Sequence, residues 1–334
     1  MEGQVRAGER CFTIILALSL FLLSIAVQGD ANQQGTPPPP PNQEQSTPAI
    51  SVNVELAMLH ATVRDRKGRF VSGLQKQEFR VYEDDQPQTI EVFQYEDMAV
   101  VVGLVADNSG SIQRKQSDVA AAALAFVQSS NPEDEFIVNF NENVTFGLPN
   151  TELFSARSSE LDRPLVGVPA RGKTALYDAI ETSLTHLQKV SRDKKMLVVI
   201  SDGGDNASKH ALNQVLQDVG RSDAIIYTIG LFDEYDTDRN QRVLRRIARA
   251  TGGEDFFPEE ASAVVKICKE IAEDMRNQYT IGCAPKNKKV DGTYRAIKVT
   301  VAGRHGGTLL VRTRAGYIAG DRNATASGTQ DGVR

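Results

Sequence analysis

The sequence predicts an α/β fold: a doubly wound, mostly parallel sheet with helices on both faces, plus a small β-sandwich-like unit built from the flanking segments. Three observations lead there. Apolar, β-branched runs at 98–106, 135–140, 195–200 and 223–231 read as strands buried on both faces. Amphipathic stripes at the 3.6 period separate them, for example Leu176, Ile180, Leu184 and Leu187. The regular alternation of the two patterns implies parallel strands joined by crossover helices.

Taken in order, residues 1–29 read as an export segment. Arg6 and Arg10 precede an apolar run from Cys11 to Val27, with a cleavage-like Val27-Gln28-Gly29. A signal peptide is the first reading and a retained N-terminal anchor the second. In either case the body is expected outside the cytoplasm: secreted, periplasmic or on the cell surface. Membrane contact is expected only through an uncleaved N-terminal segment. Residues 30–49, with prolines 37–41, read as an extended spacer that cannot bury a core.

Residues 50–96 alternate apolar and polar residues (Val52, Val54, Leu56, Met58), which predicts strands. Turns are expected at Asp65-Arg66-Lys67-Gly68-Arg69 and at Asp84-Asp85-Gln86-Pro87, with a further short strand at Phe70-Val71. Residues 97–276 form the α/β body. Within it, Phe136 and Val144-Thr145-Phe146 are spaced for a hairpin that adds one antiparallel edge strand. The last helical stripe is Val264, Cys268, Ile271 and Met275. Residues 277–319 return to strands, and 320–334 read as a disordered tail. Neither β segment makes a comfortable core alone, so the two are expected to pair into one unit with the α/β body inserted.

Composition narrows the function. At 40% apolar and 24% charged residues, with a net charge of −5, the chain is globular and mildly acidic. That argues against nucleic acid, whose phosphates need clustered Lys and Arg. Three cysteines, one of them in the leader, leave at most one disulfide in a processed chain. Cys268 and Cys283 read instead as two small buried hydrophobes. The arginines at 239, 242, 245, 246 and 249 read as a solvated helix face. No nucleophile elbow, Walker loop or His-Glu-x-x-His motif is present.

Chemistry concentrates at strand ends. The run Val100-Val101-Val102-Gly103-Leu104-Val105-Ala106 stops at Asp107, followed by Asn108-Ser109-Gly110-Ser111. Asp107-x-Ser109-x-Ser111 puts three hard oxygen donors in one turn, a set suited to Mg²⁺. A second buried strand, Leu197 to Ile200, ends in Ser201-Asp202-Gly203-Gly204-Asp205. A third stretch, Arg171-Gly172-Lys173-Thr174-Ala175-Leu176, enters a helix with a hydroxyl. If the first and second strands are neighbours, their carboxylates share the crevice at the sheet's C-terminal edge.

These stretches resemble the von Willebrand factor type A domain over about 97–276, and in particular its metal-ion-dependent adhesion site. The D-x-S-x-S element is Asp107, Ser109 and Ser111. The threonine is Thr174 in a Gly-Lys-Thr-Ala-Leu setting, and the later aspartate is Asp202 in an Ile-Ser-Asp-Gly setting. Bacterial secreted members are similar also in Thr62-Val63-Arg64-Asp65-Arg66-Lys67-Gly68 and Ala315-Gly316-Tyr317. The resemblance implies an exported, non-enzymatic adhesion or protein-binding module. It implies Mg²⁺ at Asp107, Ser109, Ser111, Thr174 and Asp202, with Mn²⁺ or Ca²⁺ as alternatives. It also implies a protein ligand that completes the ion's coordination with an exposed Asp or Glu. Asp205 is expected to support the site from behind or to cap a helix. A metal-dependent hydrolase and a scaffold with a purely structural metal are the rival readings.

Overall fold

The computed structural model describes residues 56–320 except 96–99, 131–133, 150–151, 157–159, 162–164, 166–167, 191, 193, 233–238 and 304–308, together with 325–326. The expectations for the export segment and the proline spacer, and for nearly all of the tail, lie outside the described residues. Among the described residues no helix is long and apolar enough to cross a membrane.

Two sheets make up the described chain. The first has six strands: β4 (Val100–Asp107), β5 (Asp134–Phe140), β6 (Val144–Phe146), β7 (Lys194–Ser201), β8 (Ile225–Gly230) and β9 (Asp255–Phe256), in the order β6-β5-β4-β7-β8-β9. All pairings are parallel except β5–β6, the hairpin that the sequence predicts. Every residue of β4 is buried, which explains why it reads as an unbroken apolar run. Gly103 lies at its centre because a Cβ there would sit 2.3 Å from the Phe136 ring. The helices are α1 (Gln116–Ser130), α2 (Leu176–Leu187), α3 (Leu212–Arg221), α4 (Gln241–Thr251) and α5 (Ala261–Arg276). α1 packs with α5, while α2, α3 and α4 pack in series, giving a layer on each face.

The second sheet is antiparallel throughout. It comprises β1 (Leu56–Arg64), β2 (Phe79–Glu83), β3 (Gln86–Gln94), β10 (Gln278–Ala284), β11 (Tyr294–Val301), β12 (Leu310–Arg312), β13 (Gly316–Ile318) and β14 (Thr325–Ala326). The order is β12-β1-β10-β3-β2-β11-β13, with β14 also on β1. The two flanking segments are thus interleaved: β1 pairs with β10, and β2 pairs with both β3 and β11. Where the sequence predicts a sandwich-like unit, one sheet curls until β11 and β12 touch. The curl does the work of a second layer, because strand twist accumulates over eight strands. It encloses Leu59, Phe79, Val81, Tyr279 and Ile281, with the Phe79 and Tyr279 rings 5.0 Å apart.

Two turn details differ from the sequence expectation. Only Asp84 and Asp85 form the second turn, both at positive φ (46° and 62°), so β3 already begins at Gln86. Phe70 makes a single bridge to Arg64 rather than a strand. There the chain is tied off by Tyr279, whose hydroxyl donates to Val71 O (2.9 Å) and accepts from Leu74 N (3.1 Å). Cys268 and Cys283 are buried free thiols in separate cores, and burial pushes both pKa values up to about 12. Arg245 and Arg249 pair with Asp255 on the surface of α4.

Candidate metal centre

Beyond β4 the chain goes to β5 on one side, and beyond β7 to β8 on the other. The strand order therefore reverses between β4 and β7, which opens a crevice at their C-terminal ends. Asp107 ends β4, and Asp202 directly follows β7. Both are fully buried, as is Ser109; Thr174 is 3% exposed and Ser111 half-buried.

Backbone geometry shapes the first loop. Asp107 Oδ1 accepts from Ser109 N (2.9 Å), the local Asx turn that Asp and Ser favour at strand ends. Its Oδ2 accepts from Ser201 Oγ (2.6 Å) on the neighbouring strand. Ser109 and Ser111 hydroxyls lie 3.0 Å apart, and Ser111 Oγ donates to Asp202 Oδ2 (2.5 Å). Asp202 Oδ1 accepts from Gly204 N (2.8 Å). Asp107, Ser109, Ser111 and Asp202 are thereby linked through direct bonds and the intervening Ser201.

The third stretch arrives by main-chain contacts. Gly110 N donates to Gly172 O and Arg171 N to Asn108 O, both at 3.0 Å. Thr174 follows at once. Its N–H donates to Asn206 Oδ1 (2.9 Å), and its carbonyl accepts from the N–H groups of Asn206 and Ala207. Glu142 accepts from Lys173 N (3.0 Å) at the outer rim. Asp205 binds the first turn of α2, accepting from Tyr177 N (2.9 Å) and Ser208 Oγ (2.6 Å). It fixes the helix that begins two residues after Thr174, a favourable place for a carboxylate.

Beneath the crevice, Gly203 has φ +80°, and a Cβ there would meet Asn240 O at 2.5 Å. That close approach lets Asn240 N reach Asp202 O (2.9 Å), while its side chain caps α4 at Val243 N. Two contributors escape the sequence reading, Ser201 and Asn206. Ser201 stands out only as the one hydroxyl closing an apolar strand; its partner Asp107 is 94 residues away. Asn206 has no signal beyond its place in the loop.

The bonds just described bring no positive charge to the two carboxylates, because hydroxyls and peptide N–H groups supply them. The two carboxylates and the Ser109 and Ser111 hydroxyls lie together here, hard-oxygen donors of the kind that Mg²⁺, Ca²⁺ or Mn²⁺ take, and Thr174 reaches the same edge through main-chain contacts. Among the described residues no three His, Cys, Asp or Glu side chains group as metal ligands.

Residues 102–204 match the family model of the von Willebrand factor type A domain, a span that includes Asp107, Ser109, Ser111, Thr174 and Asp202. No curated protein matches the chain. Several solved structures are similar. A von Willebrand factor type A protein from Catenulispora acidiphila is 14% identical, covering 83% of this chain and 78% of its own, with a TM-score of 0.47. The vWF domain of a type V pilus tip protein from Porphyromonas gingivalis is 12% identical, covering 53% and 95%, with a TM-score of 0.45. Manganese-loaded TRAP protein from Plasmodium vivax is 12% identical, covering 70% and 96%, with a TM-score of 0.44.

Proposed function

We propose that this chain, which carries a von Willebrand factor type A domain, is an exported protein-binding module whose grip on a partner depends on a divalent cation. The observation that carries the reading is the convergence of Asp107, Ser109, Ser111 and Asp202 at the point where the strand order reverses. Asp107, Ser109, Ser111, Thr174 and Asp202 would hold Mg²⁺, with Mn²⁺ or Ca²⁺ as substitutes. A bound cation would supply an electrophilic position for an Asp or Glu carboxylate from a protein ligand. The protein's own part is to pre-position neutral hydroxyls and to keep both acids buried, which limits competition from water. The export segment at 1–29 supports placement outside the cytoplasm.

A hydrolase needs a general base near the metal ligands. His210, eight residues beyond Asp202, has its Nδ1 2.7 Å from Asp178 Oδ1. That bond, which also raises its pKa, ties the ring to Asp178 rather than to the candidate metal ligands. We therefore favour binding over turnover.

The test is capture of peptides displaying Glu or Asp on the immobilised full chain, against matched Gln or Asn peptides. Capture of the acidic peptides should require Mg²⁺ or Mn²⁺, reverse with a chelator, and fail in Ser111→Ala/Thr174→Ala. Metal uptake without acidic-peptide binding would favour the scaffold. Metal-dependent cleavage of a phosphate ester or peptide that is lost with Asp107→Asn would favour the hydrolase.

A further inference from the structure

A pocket of about 170 Å³ opens on the β5 flank of the crevice, with Asn108, Asn139, Asn141, Asn143 and Thr145 as its polar lining and Val168 beside them. A cavity of about 150 Å³ holds a benzene ring, so there is room for one side chain. The pocket adjoins the candidate metal ligands, because Asn108 stands between Asp107 and Ser109. The Thr174 arm is tied to it as well: Arg171 N donates to Asn108 O (3.0 Å) and Ala175 N to Asn141 O (2.8 Å).

Strand register shows which way the lining faces. Asn139 is the partner of Ala106 across β4–β5 and of Thr145 across β5–β6, so these side chains share one face of the sheet. Asn108 reaches back over that face, its Nδ2 donating to Asn139 Oδ1 (3.0 Å) and Ala106 O (3.1 Å). Asn141 N donates to Asn143 O, which extends the ladder by one pair, and alternation returns both side chains to the same face. Phe140, out of step by one residue, turns its ring to the other face. Val168, whose carbonyl accepts from the Gln116 side chain at the start of α1, closes the pocket.

The amides there are only partly used. Asn141 Oδ1 accepts from Asn143 N (2.9 Å), but Asn141 Nδ2, Asn108 Oδ1 and the Asn143 amide make no hydrogen bond among the described residues. Donors and acceptors are thus offered together, and no lining residue carries charge. A charged guest would have no counter-ion, and an apolar guest would cover the amides without satisfying them. A carboxamide both donates and accepts, so it fits where those two do not.

We propose that this pocket is a subsite of the cation-dependent binding site, taking the carboxamide of an Asn or Gln within two residues of the acid that the protein ligand presents to the cation. The inference rests on the proposed function and names the partner more closely. The test is calorimetric titration of the full chain, in saturating Mg²⁺, with short peptides that carry one central Glu in a Gly-Ser background. Gln, Leu or Lys is placed at each of the two positions on either side of the Glu. At one position Gln should bind about tenfold tighter than Leu or Lys, the effect of leaving buried amides unpaired. Asn143 is exposed and its amide is unbonded, so its variants keep the fold. Asn143→Ala should bring the Gln peptide down to the Leu peptide, and Asn143→Asp should turn the preference towards Lys. Equal affinity for Gln, Leu and Lys peptides at every position, with the central Glu still required, would overturn the subsite alone. So would a Gln preference that both variants keep. Failure of every Glu peptide to bind would contradict the proposed function itself and the subsite with it.

Discussion

Two of the buried carboxylate centres among the described residues, one at Asp274 and one at Asp107 and Asp202, are bonded in opposite ways. Asp274, 1% exposed on α5, accepts from Thr62 Oγ1 on β1 (2.8 Å), the Tyr227 hydroxyl on β8 and the Arg312 guanidinium on β12. Arg64 adds a second guanidinium at 3.9 Å. Positive charge thus comes with the contacts, and the cluster joins the curled sheet to the α/β body. At Asp107 and Asp202 the described contacts are hydroxyls and peptide N–H groups. Burial of a carboxylate is tolerated when a cation accompanies it. The first centre carries its own cations and is structural. In the proposed function, the second takes its cation from solution.

The comparison breaks most visibly at Asp274. Asp274→Asn should cost about 3–5 kcal/mol, because Arg312 keeps its charge with only Glu254, 3.4 Å away, to balance it. Urea unfolding of wild type and variant measures it. A loss below about 1 kcal/mol would mean that the cluster is not what holds the sheets together.

Metal should act on the other centre alone. At a hundredfold excess over Kd, Mg²⁺ should stabilise the wild type by about 2.7 kcal/mol through linkage. Asp202→Asn should lose that increment, and Asp274→Asn, at a temperature where it is still folded, should keep it. Unfolding curves with and without Mg²⁺ decide this, and an increment that vanished in both would merge the two centres into one.

Ser201→Ala sharpens the same point at lower amplitude. It removes the donor that aims Asp107 Oδ2, so metal affinity should fall about tenfold, as for other groups that orient a ligand. Titration of metal into the variant reads this directly.

The smallest effects lie outside both centres and have opposite signs. His186 sits among Phe136, Phe146 and Phe154, with Nε2 donating to Leu153 O (2.8 Å) and Nδ1 buried without a partner. Burial lowers its pKa from the ordinary 6.5. As pH falls below 6.5 the unfolded chain takes the proton first, so stability should drop, and His186→Leu should remove that drop. His210 has a raised pKa from its Asp178 bond. Its contribution is complete below 6.5 and is lost as pH rises through the folded value; His210→Asn should remove that loss. Stability against pH for the two variants checks both signs.

Where burial writes itself into composition, the fold is legible. β4 from Val100 to Ala106 and β7 from Met196 to Ile200 are apolar because helices cover both faces, and each run ends at the polar residue where the crevice begins. The hard-oxygen spacing of Asp107, Ser109 and Ser111 is equally local. What escapes reading depends on distant partners. Asp274 lies beside Met275 in an otherwise apolar stripe, and nothing near it signals Thr62 or Arg312, 212 and 38 residues away. The curl of the second sheet likewise follows from pairing β1 with β10 across the whole α/β body. Ser201 is unreadable because a serine that orients a carboxylate looks, in sequence, like any serine at a strand end.

The central claim is that the crevice between β4 and β7 binds a divalent cation. Calorimetric titration of Mg²⁺ and Mn²⁺ into metal-stripped protein, repeated with Asp107→Asn, tests it most directly. The account predicts saturable binding of one ion per chain in the wild type and its loss in the variant. A folded wild type that binds neither ion, or a variant that binds as well as the wild type, would contradict it.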